Sequence, residues 1–273
     1  RDEAATLGGV VAVGLSGPRR LRYGPLRDRV LEVRFATADG RLVRGGGPTV
    51  KNVTGFDMPR LLVGSFGTLG VLTRVILRCQ PRPSLRRWYR APGDPEAVRA
   101  ACLAPSTITW GPEGTQVLLE GHPDDVAAQA AAADLGTPAD AEPAWPDAPH
   151  RGRISIEPGR LRAVGAALAD LTGVTWLAEW GVGTIHVGAR TQDGLAAARR
   201  AATDAGGWLL REAGAPDLDG FGASLPAAVV MARVKAAFDP TGKLAPGRLP
   251  ISAPEPASVA SSAGADRGPR AGS

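Results

Sequence analysis

Between Gly64 and Arg78 the chain reads GSFGTLGVLTRVILR, a glycine-punctuated turn that runs straight into a β-branched strand. Glycines at 64, 67 and 70 tolerate positive φ and leave the backbone bare to an approaching ligand. Two related pieces lie upstream, Thr6-Leu7-Gly8-Gly9-Val10 and Leu15-Ser16-Gly17-Pro18-Arg19-Arg20. Exposed N–H groups at such bends donate to phosphates or to the edge of a heterocycle. A single glycine turn says little. Three of them beside strand-like runs point to the cradle of a cofactor.

The order TLGGVV, LSGPRRLRYG, RDRVLEV, ADGRLVRGGG and VKNVTGFDMPRLLVGSFGTLGVLT resembles the second half of the FAD-binding domain of vanillyl-alcohol oxidase/p-cresol methylhydroxylase-type flavoenzymes. Within them it is most similar to the smaller FAD-binding subunits of bacterial glycolate oxidases. Phe238-Asp239-Pro240-Thr241-Gly242-Lys243-Leu244, followed by Pro246-Gly247-Arg248, resembles the segment that returns to the flavin domain in that family. The likeness extends over most of residues 4–250. It implies FAD as cofactor, held by Thr6, Gly8, Gly9, Ser16, Gly17, Tyr23, Gly24, Gly64, Ser65, Gly67, Thr68, Leu69, Gly70 and Val71. The family's N-terminal, pyrophosphate-gripping lobe is missing from the sequence as it stands, which opens at the entry to the second lobe. Two positions depart from the pattern: Phe66 stands where many relatives carry Glu, and Ala245 where the closing motif carries Asn.

At 273 residues two domains are expected. The expected fold class is α+β: residues 1–83 as the C-terminal lobe of the FAD-binding domain, then a ferredoxin-like cap domain over 84–220. Residues 221–250 form the return segment, and 251–273, rich in Ala, Ser, Gly and Pro, a disordered tail. No apolar run approaches the ~20 residues that span a membrane, and no leader pattern suggests secretion. Cys79 and Cys102 form no C-x-x-C pair, which argues against an iron–sulfur cluster or disulfide framework in this chain. These features suggest a cytoplasmic protein, with the inner membrane reached peripherally through partners. The net charge of +5 concentrates at Arg19, Arg20, Arg22, Arg27 and Arg29. In the resembling enzymes that segment lies by the flavin, where a cation faces phosphate or an acidic substrate. The other arginines are scattered among acids, so nucleic acid is not the expected partner.

Residues 4–80 read as strands and short connections. Val30–Thr37 and Arg41–Arg44 form a hairpin across Asp39-Gly40, Val50–Leu62 is a short helix or ordered loop, and Val71–Arg78 is a strand. In the cap, strands are expected over Leu85–Ala91, Thr115–Gly121, Arg153–Glu157, Val174–Trp180, Thr184–Ala189 and Trp208–Glu212. Helices begin at the Asp94 cap with Pro95, and run over Asp124–Leu135, over the Leu161, Val164, Leu168, Leu171 face, and over Asp193–Ala205. Strand–helix–strand repetition of this kind implies a ferredoxin-like antiparallel sheet with helices on one face. Residues 137–152 read as an exposed Pro- and Ala-rich connection containing His150. A last helix, 224–238, carries Val229, Val230, Val234 and Phe238.

The resembling enzymes oxidise an α-hydroxy acid, with the flavin taking the electrons and a base taking the hydroxyl proton. His is the commonest such base, and this chain has three. His122 reads as a turn cap. His186 is the only one flanked by cap-domain strand, and is the weak catalytic candidate. No second His and no Asp-Gly-Asn run accompanies it, so a local metal site is not expected. Trp176, Trp180 and Trp208 read as packing under helices before they read as pocket walls. The leading expectation is an FAD-binding subunit of a glycolate-oxidising complex, acting on a small 2-hydroxy acid with a larger flavin subunit and an iron–sulfur subunit. The alternatives are a non-catalytic assembly subunit that keeps the flavin fold, and a stand-alone FAD-linked oxidase of another hydroxy acid or alcohol.

Overall fold

The computed structural model describes residues 5–49, 55–139, 141–222, 225 and 227–251. The expected tail and residues 50–54 lie outside them. The first element among the described residues is a helix, α1 (Leu7–Val13), where the sequence suggested a glycine bend beside strands. The Thr6 hydroxyl accepts from the Gly9 amide and caps it, and Gly14 at φ 73 ends it. Gly8 lies inside the helix against Leu72, which an added Cβ would meet at 3.6 Å, an ordinary contact. A short α2 (Arg20–Tyr23) follows.

β1 (Val30–Ala36) then pairs antiparallel with β2 (Leu42–Gly46) across the Asp39-Gly40 turn, where Gly40 has φ 85. After α3 (Met58–Leu62), β3 (Val71–Leu77) adds to the other edge of β1, giving a three-stranded sheet in the order β2-β1-β3. Val11, Val33, Phe35, Leu62 and Leu69 form its core. Fully burying each such side chain is worth about 1.5–3 kcal/mol.

The next strands form a second sheet: β4 (Leu85–Ala91), β5 (Thr107–Gly111), β6 (Gly114–Gly121), β7 (His150–Ser155), β8 (Val174–Glu179), β9 (Thr184–Ala189) and β10 (Trp208–Ala213). Their order is β10-β7-β9-β8-β5-β6-β4, and every neighbouring pair is antiparallel. Between them run α4 (Pro95–Ala101), α5 (Pro123–Ala132), α6 (Leu161–Ala169) and α7 (Gln192–Asp204).

This sheet contains the ferredoxin-like arrangement twice. β7-α6-β8-β9-α7-β10 has it complete, with spatial order β10-β7-β9-β8. β4-α4-β5-β6-α5 repeats it with order β4-β6-β5, and a bridge from Pro138 to Tyr89 stands where a fourth strand would be. The two units join edge to edge through Thr109–Glu179 and Trp110–Ala178. The doubling was hidden because β5 is five residues long and drew no strand assignment from the sequence.

Alternating strand residues Tyr89, Ile108, Val117, Leu119, Ile154, Ile185 and Val187 share one core with Val98, Val126, Leu161, Val164, Leu195 and Ala198 from the helices. Trp176 and Trp180 belong to it as packing residues, whereas Trp208 is partly exposed. The opposite face of the sheet carries Arg86, Trp88, Gln116, Leu118, Glu120, Thr107 and Thr109, following the period of two. His150 is not in an exposed connection but starts β7, and its Nδ1 accepts from the Ala215 amide at 2.8 Å.

α8 (Ala228–Phe238) returns the chain to the first sheet, where Val234 and Phe238 pack on its core. Val229 and Val230 on the same helix are 74% and 59% exposed, because only its later part reaches that core.

Gly165 shows how tightly the larger core is closed: a Cβ there would lie 2.4 Å from the Trp110 ring and 2.9 Å from the Trp176 ring. Gly165→Ala is therefore expected to destabilise by about 1–3 kcal/mol despite alanine's better helix propensity. Urea unfolding checks this, and a stabilised variant would contradict it.

Candidate functional site

Residues 14–29 form a loop-rich segment between the two sheets, and each step of it has a local cause. A Cβ on Gly14 would meet the Gly64 backbone at 3.2 Å, so only glycine fits where α1 stops. The Ser16 hydroxyl accepts from the Leu26 amide at 3.0 Å and closes the loop on itself. Gly24, at φ 75, ends α2. The Tyr23 carbonyl accepts from the Arg29 guanidinium, and Arg22 and Arg29 lie 5.4 and 5.8 Å from the Tyr23 ring centre.

Three contacts fasten this loop to the helix-free face of the larger sheet. The Thr107 hydroxyl donates to the Pro18 carbonyl at 2.8 Å, and Arg22 donates to the Glu120 carbonyl. Arg19 pairs with the Glu120 carboxylate at 3.0 Å. That carboxylate is 1% exposed and also faces Arg86 at 3.8 Å.

Where loop and sheet meet lies a cavity of about 440 Å³, within the range of small-molecule sites. Its lining includes Ser16, Gly17, Tyr23 and Gly24 from the loop, with Trp88 and Leu118 from the sheet. Four arginines (19, 20, 29 and 86) and one carboxylate, Glu142, give it a basic character. Trp145, from the Pro-rich strap that crosses the sheet, forms a further wall. Trp88 is 7% exposed and its indole Nε1 has no partner among the described residues.

The other candidate residues lie elsewhere. Thr6, Gly8 and Gly9 form the first turn of α1, with Gly8 against Leu72. The glycine turn is stitched to the far end of the same helix: the amides of Gly64 and Phe66 donate to Val11 and Ala12 at 3.1 and 2.8 Å. Ser65 donates to Leu62 and Thr68 to Ser65, so four amides of the turn are satisfied within the fold. Gly67 keeps φ 74, and Phe66, with φ 54, meets Phe221 edge-on at 5.3 Å. Gly70 is required by packing, since a Cβ would reach 2.5 Å from the Phe35 ring. Leu69 is in the small core, and Val71 is exposed at the start of β3. The structure thus gathers Ser16, Gly17, Tyr23 and Gly24 around one cavity and leaves the remainder around α1.

His186 does not line that cavity. Its Nε2 lies 2.7 Å from the buried Glu179 carboxylate, and its ring meets Trp145 edge-on at 4.9 Å. Among the described residues no group of His, Cys, Asp or Glu is placed to hold a metal ion. Cys102 is buried, and burial pushes its thiol up from the usual value.

Residues 1–46 match the FAD binding domain family. Chains of known structure share the fold across most of this one. An alkyldihydroxyacetonephosphate synthase superposes with TM-score 0.61 at 14% identity, over 90% of this chain and 59% of its own. A carbohydrate oxidase from Microdochium nivale gives 0.57 at 16%, over 86% and 69%, and a VAO-type flavoprotein from Myceliophthora thermophila 0.53 at 18%, over 86% and 59%. In sequence, 89 residues are 53% identical to glycolate oxidase subunit GlcE of Escherichia coli, covering 31% of this chain and 25% of that subunit. The chain therefore shares the fold of these flavoproteins and, over shorter stretches, is similar in sequence to FAD-linked oxidoreductases. D-lactate dehydrogenase of Archaeoglobus fulgidus is 45% identical over 80 residues, which is 29% of this chain and 18% of that enzyme. Both matches span at most a quarter of the relative's length.

FAD is the cofactor that the matched FAD binding domain points to, and the donor set fits it. Arg20 stands on the cavity rim without a partner among the described residues, ready for an anionic oxygen, and Tyr23 and Trp145 offer aromatic faces to a planar ring. Ser16–Gly17, Tyr23–Gly24, Arg20 and Arg29 are the residues that would hold it. Sequence reasoning missed Arg86, Trp88, Glu120 and Glu142. A signal existed for the first two, an arginine and a tryptophan two apart on one strand, and for Glu120, an acid directly after the apolar run Val117–Leu119.

The return segment is locked beside the glycine turn. Lys235 Nζ donates to Thr68 and Leu244 carbonyls at 2.9 and 2.7 Å and pairs with Asp239. Burial pushes the Asp239 carboxyl up, but Lys235 and the Leu244 and Lys243 amides outweigh it and hold it at about 2, below the ordinary 3.8. A depressed folded value means that the stabilisation is complete above the unfolded value and is lost as pH falls through about 2. Asp239→Asn is expected to cost roughly 2 kcal/mol at neutral pH and to flatten the acid limb of the stability curve. Denaturant melts across acidic pH check it, and an unchanged acid limb would contradict it.

Proposed function

We propose that this chain is the FAD-binding part of an oxidoreductase that converts a small 2-hydroxy acid to the 2-oxo acid, as a subunit of a glycolate-oxidising complex. The observation that carries this is the basic, aromatic-walled cavity built by residues 16–29, which overlap the matched flavin segment, against the larger sheet. When bound, FAD accepts the two electrons of the alcohol oxidation. The chain supplies charge and placement. Arg20 and Arg29 face anionic oxygens, Tyr23 and Trp145 flank a ring, and Arg19 and Arg86 keep the rim positive while anchored to Glu120.

Partners of the kind expected from the sequence, a larger flavin subunit and an iron–sulfur subunit, belong to the same proposal. Its support is that the similar proteins are named as subunits: GlcE of Escherichia coli and GlcD of Bacillus subtilis, the latter 32% identical over 126 residues, 43% of this chain and 27% of that one. No helix among the described residues is long and apolar enough to cross a membrane. The two domains expected at residues 1–83 and 84–220 are proposed as the flavin lobe and the cap over it.

A second reading, an assembly subunit that keeps the flavin fold without using it, draws on the glycine turn whose amides the fold itself consumes. FAD titration of the full chain followed by flavin fluorescence separates the two. The first reading expects binding, weakened about tenfold or more by Arg20→Ala, the loss of one charge-assisted contact, and unchanged by Arg41→Ala on the remote hairpin. Absence of binding, or equal effects of both substitutions, supports the second.

A further inference from the structure

We propose that the same cavity seats a small carboxylate anion on Arg86 and Trp88, and that the chain's own Glu142 occupies that seat on Arg86 in the free protein. The proposal rests on the cavity being the ligand site and names which part of it takes the acid group. Arg86 and Trp88 are two residues apart on β4, so their side chains leave the same face of the sheet, the face that meets the loop. Both line the cavity.

Arg86 is held between two carboxylates. On one side is Glu120, fully buried and shared with Arg19. On the other is Glu142, whose Oε2 lies 3.3 Å from Arg86 Nη2. Glu120 cannot leave without stranding a buried charge beside two arginines. Glu142 can: it is half exposed, and its segment of the Pro-rich strap has no helix or strand hydrogen bonding. The pair it makes with Arg86 is of the weak surface kind.

Trp88 supplies the independent sign that a ligand belongs here. Its Nε1 is a donor, is buried, and finds no acceptor among the described residues. A buried unpaired N–H costs free energy that an incoming acceptor recovers. Glu142 reaches Arg86 but leaves Trp88 unpaired. A free carboxylate has two oxygens and accepts from both, one on the guanidinium and one on the indole N–H. The net positive rim favours an anion. The same charges make Glu142 an internal competitor that sets the threshold concentration for binding.

Calorimetric titration of the full chain with oxalate, without FAD, tests this. Glu142→Gln removes the competitor and is expected to tighten oxalate about three- to tenfold. Arg86→Met and Trp88→Phe are each expected to weaken it about tenfold or more. Unchanged or weaker binding by Glu142→Gln, indifference to Trp88→Phe, or equal competition by inorganic sulfate would overturn the proposal. Glu142 is a half-exposed strap residue, so that variant reports even if Trp88→Phe fails to fold. Parallel FAD titrations keep the two readings apart. Oxalate binding with the expected pattern but no FAD binding removes the flavin reading alone. FAD binding with oxalate indifferent to all three substitutions removes this one alone.

Discussion

A carboxylate withdrawn from water is costly unless cations and donors replace the solvent it loses. Glu120 is such a group, buried on the helix-free face of the larger sheet, with Arg19 and Arg86 on its carboxylate and Arg22 on its carbonyl. Arg19 and Arg22 come from the loop after α1, and Arg86 from β4. One acid therefore ties the loop to the sheet and holds two of the cavity's arginines, Arg19 and Arg86. Removing it would leave cations facing each other across the junction, so the cavity's charge and its closure have the same origin.

The smaller sheet serves that junction from behind. Its glycine turn, the feature that stands out in the sequence, donates the Gly64 and Phe66 amides to the carbonyl end of α1 and brings Gly64 and Gly70 into close packing against Gly14 and Phe35. Lys235 and Asp239 then clamp the returning chain to Thr68. The turn positions α1, and α1 positions the loop that carries Ser16 to Arg29. Glycines that read as a ligand's seat act here as the joint that lets two backbones meet.

Much of this was legible in the residues. The Asp39-Gly40 hairpin, the Asp94-Pro95 helix start and the Leu161, Val164, Leu168 face announce themselves through turn chemistry and period, and the structure has all three. The loop residues Ser16, Gly17, Tyr23 and Gly24 were named through resemblance, and all four line the cavity. What stayed hidden depends on pairing across distance. α1 looked like a bend because two glycines mask its helical face, and β5 was too short to show alternation. The doubled ferredoxin-like unit needs the Thr109–Glu179 junction, which no local pattern encodes. Arg86, Trp88 and Glu142 become a site only when the strap crosses β4.

Hydrogen exchange of the full chain with and without FAD asks directly whether the loop-and-sheet cavity, rather than the glycine turn, receives the cofactor. Slowed exchange is expected in residues 15–29 and in the β4 and β6 segments that face them, with the amides of Gly64, Ser65, Phe66 and Thr68 already slow in the free protein because they are bonded internally. Slowing confined to residues 6–9 and 64–71, or none anywhere, would contradict the account.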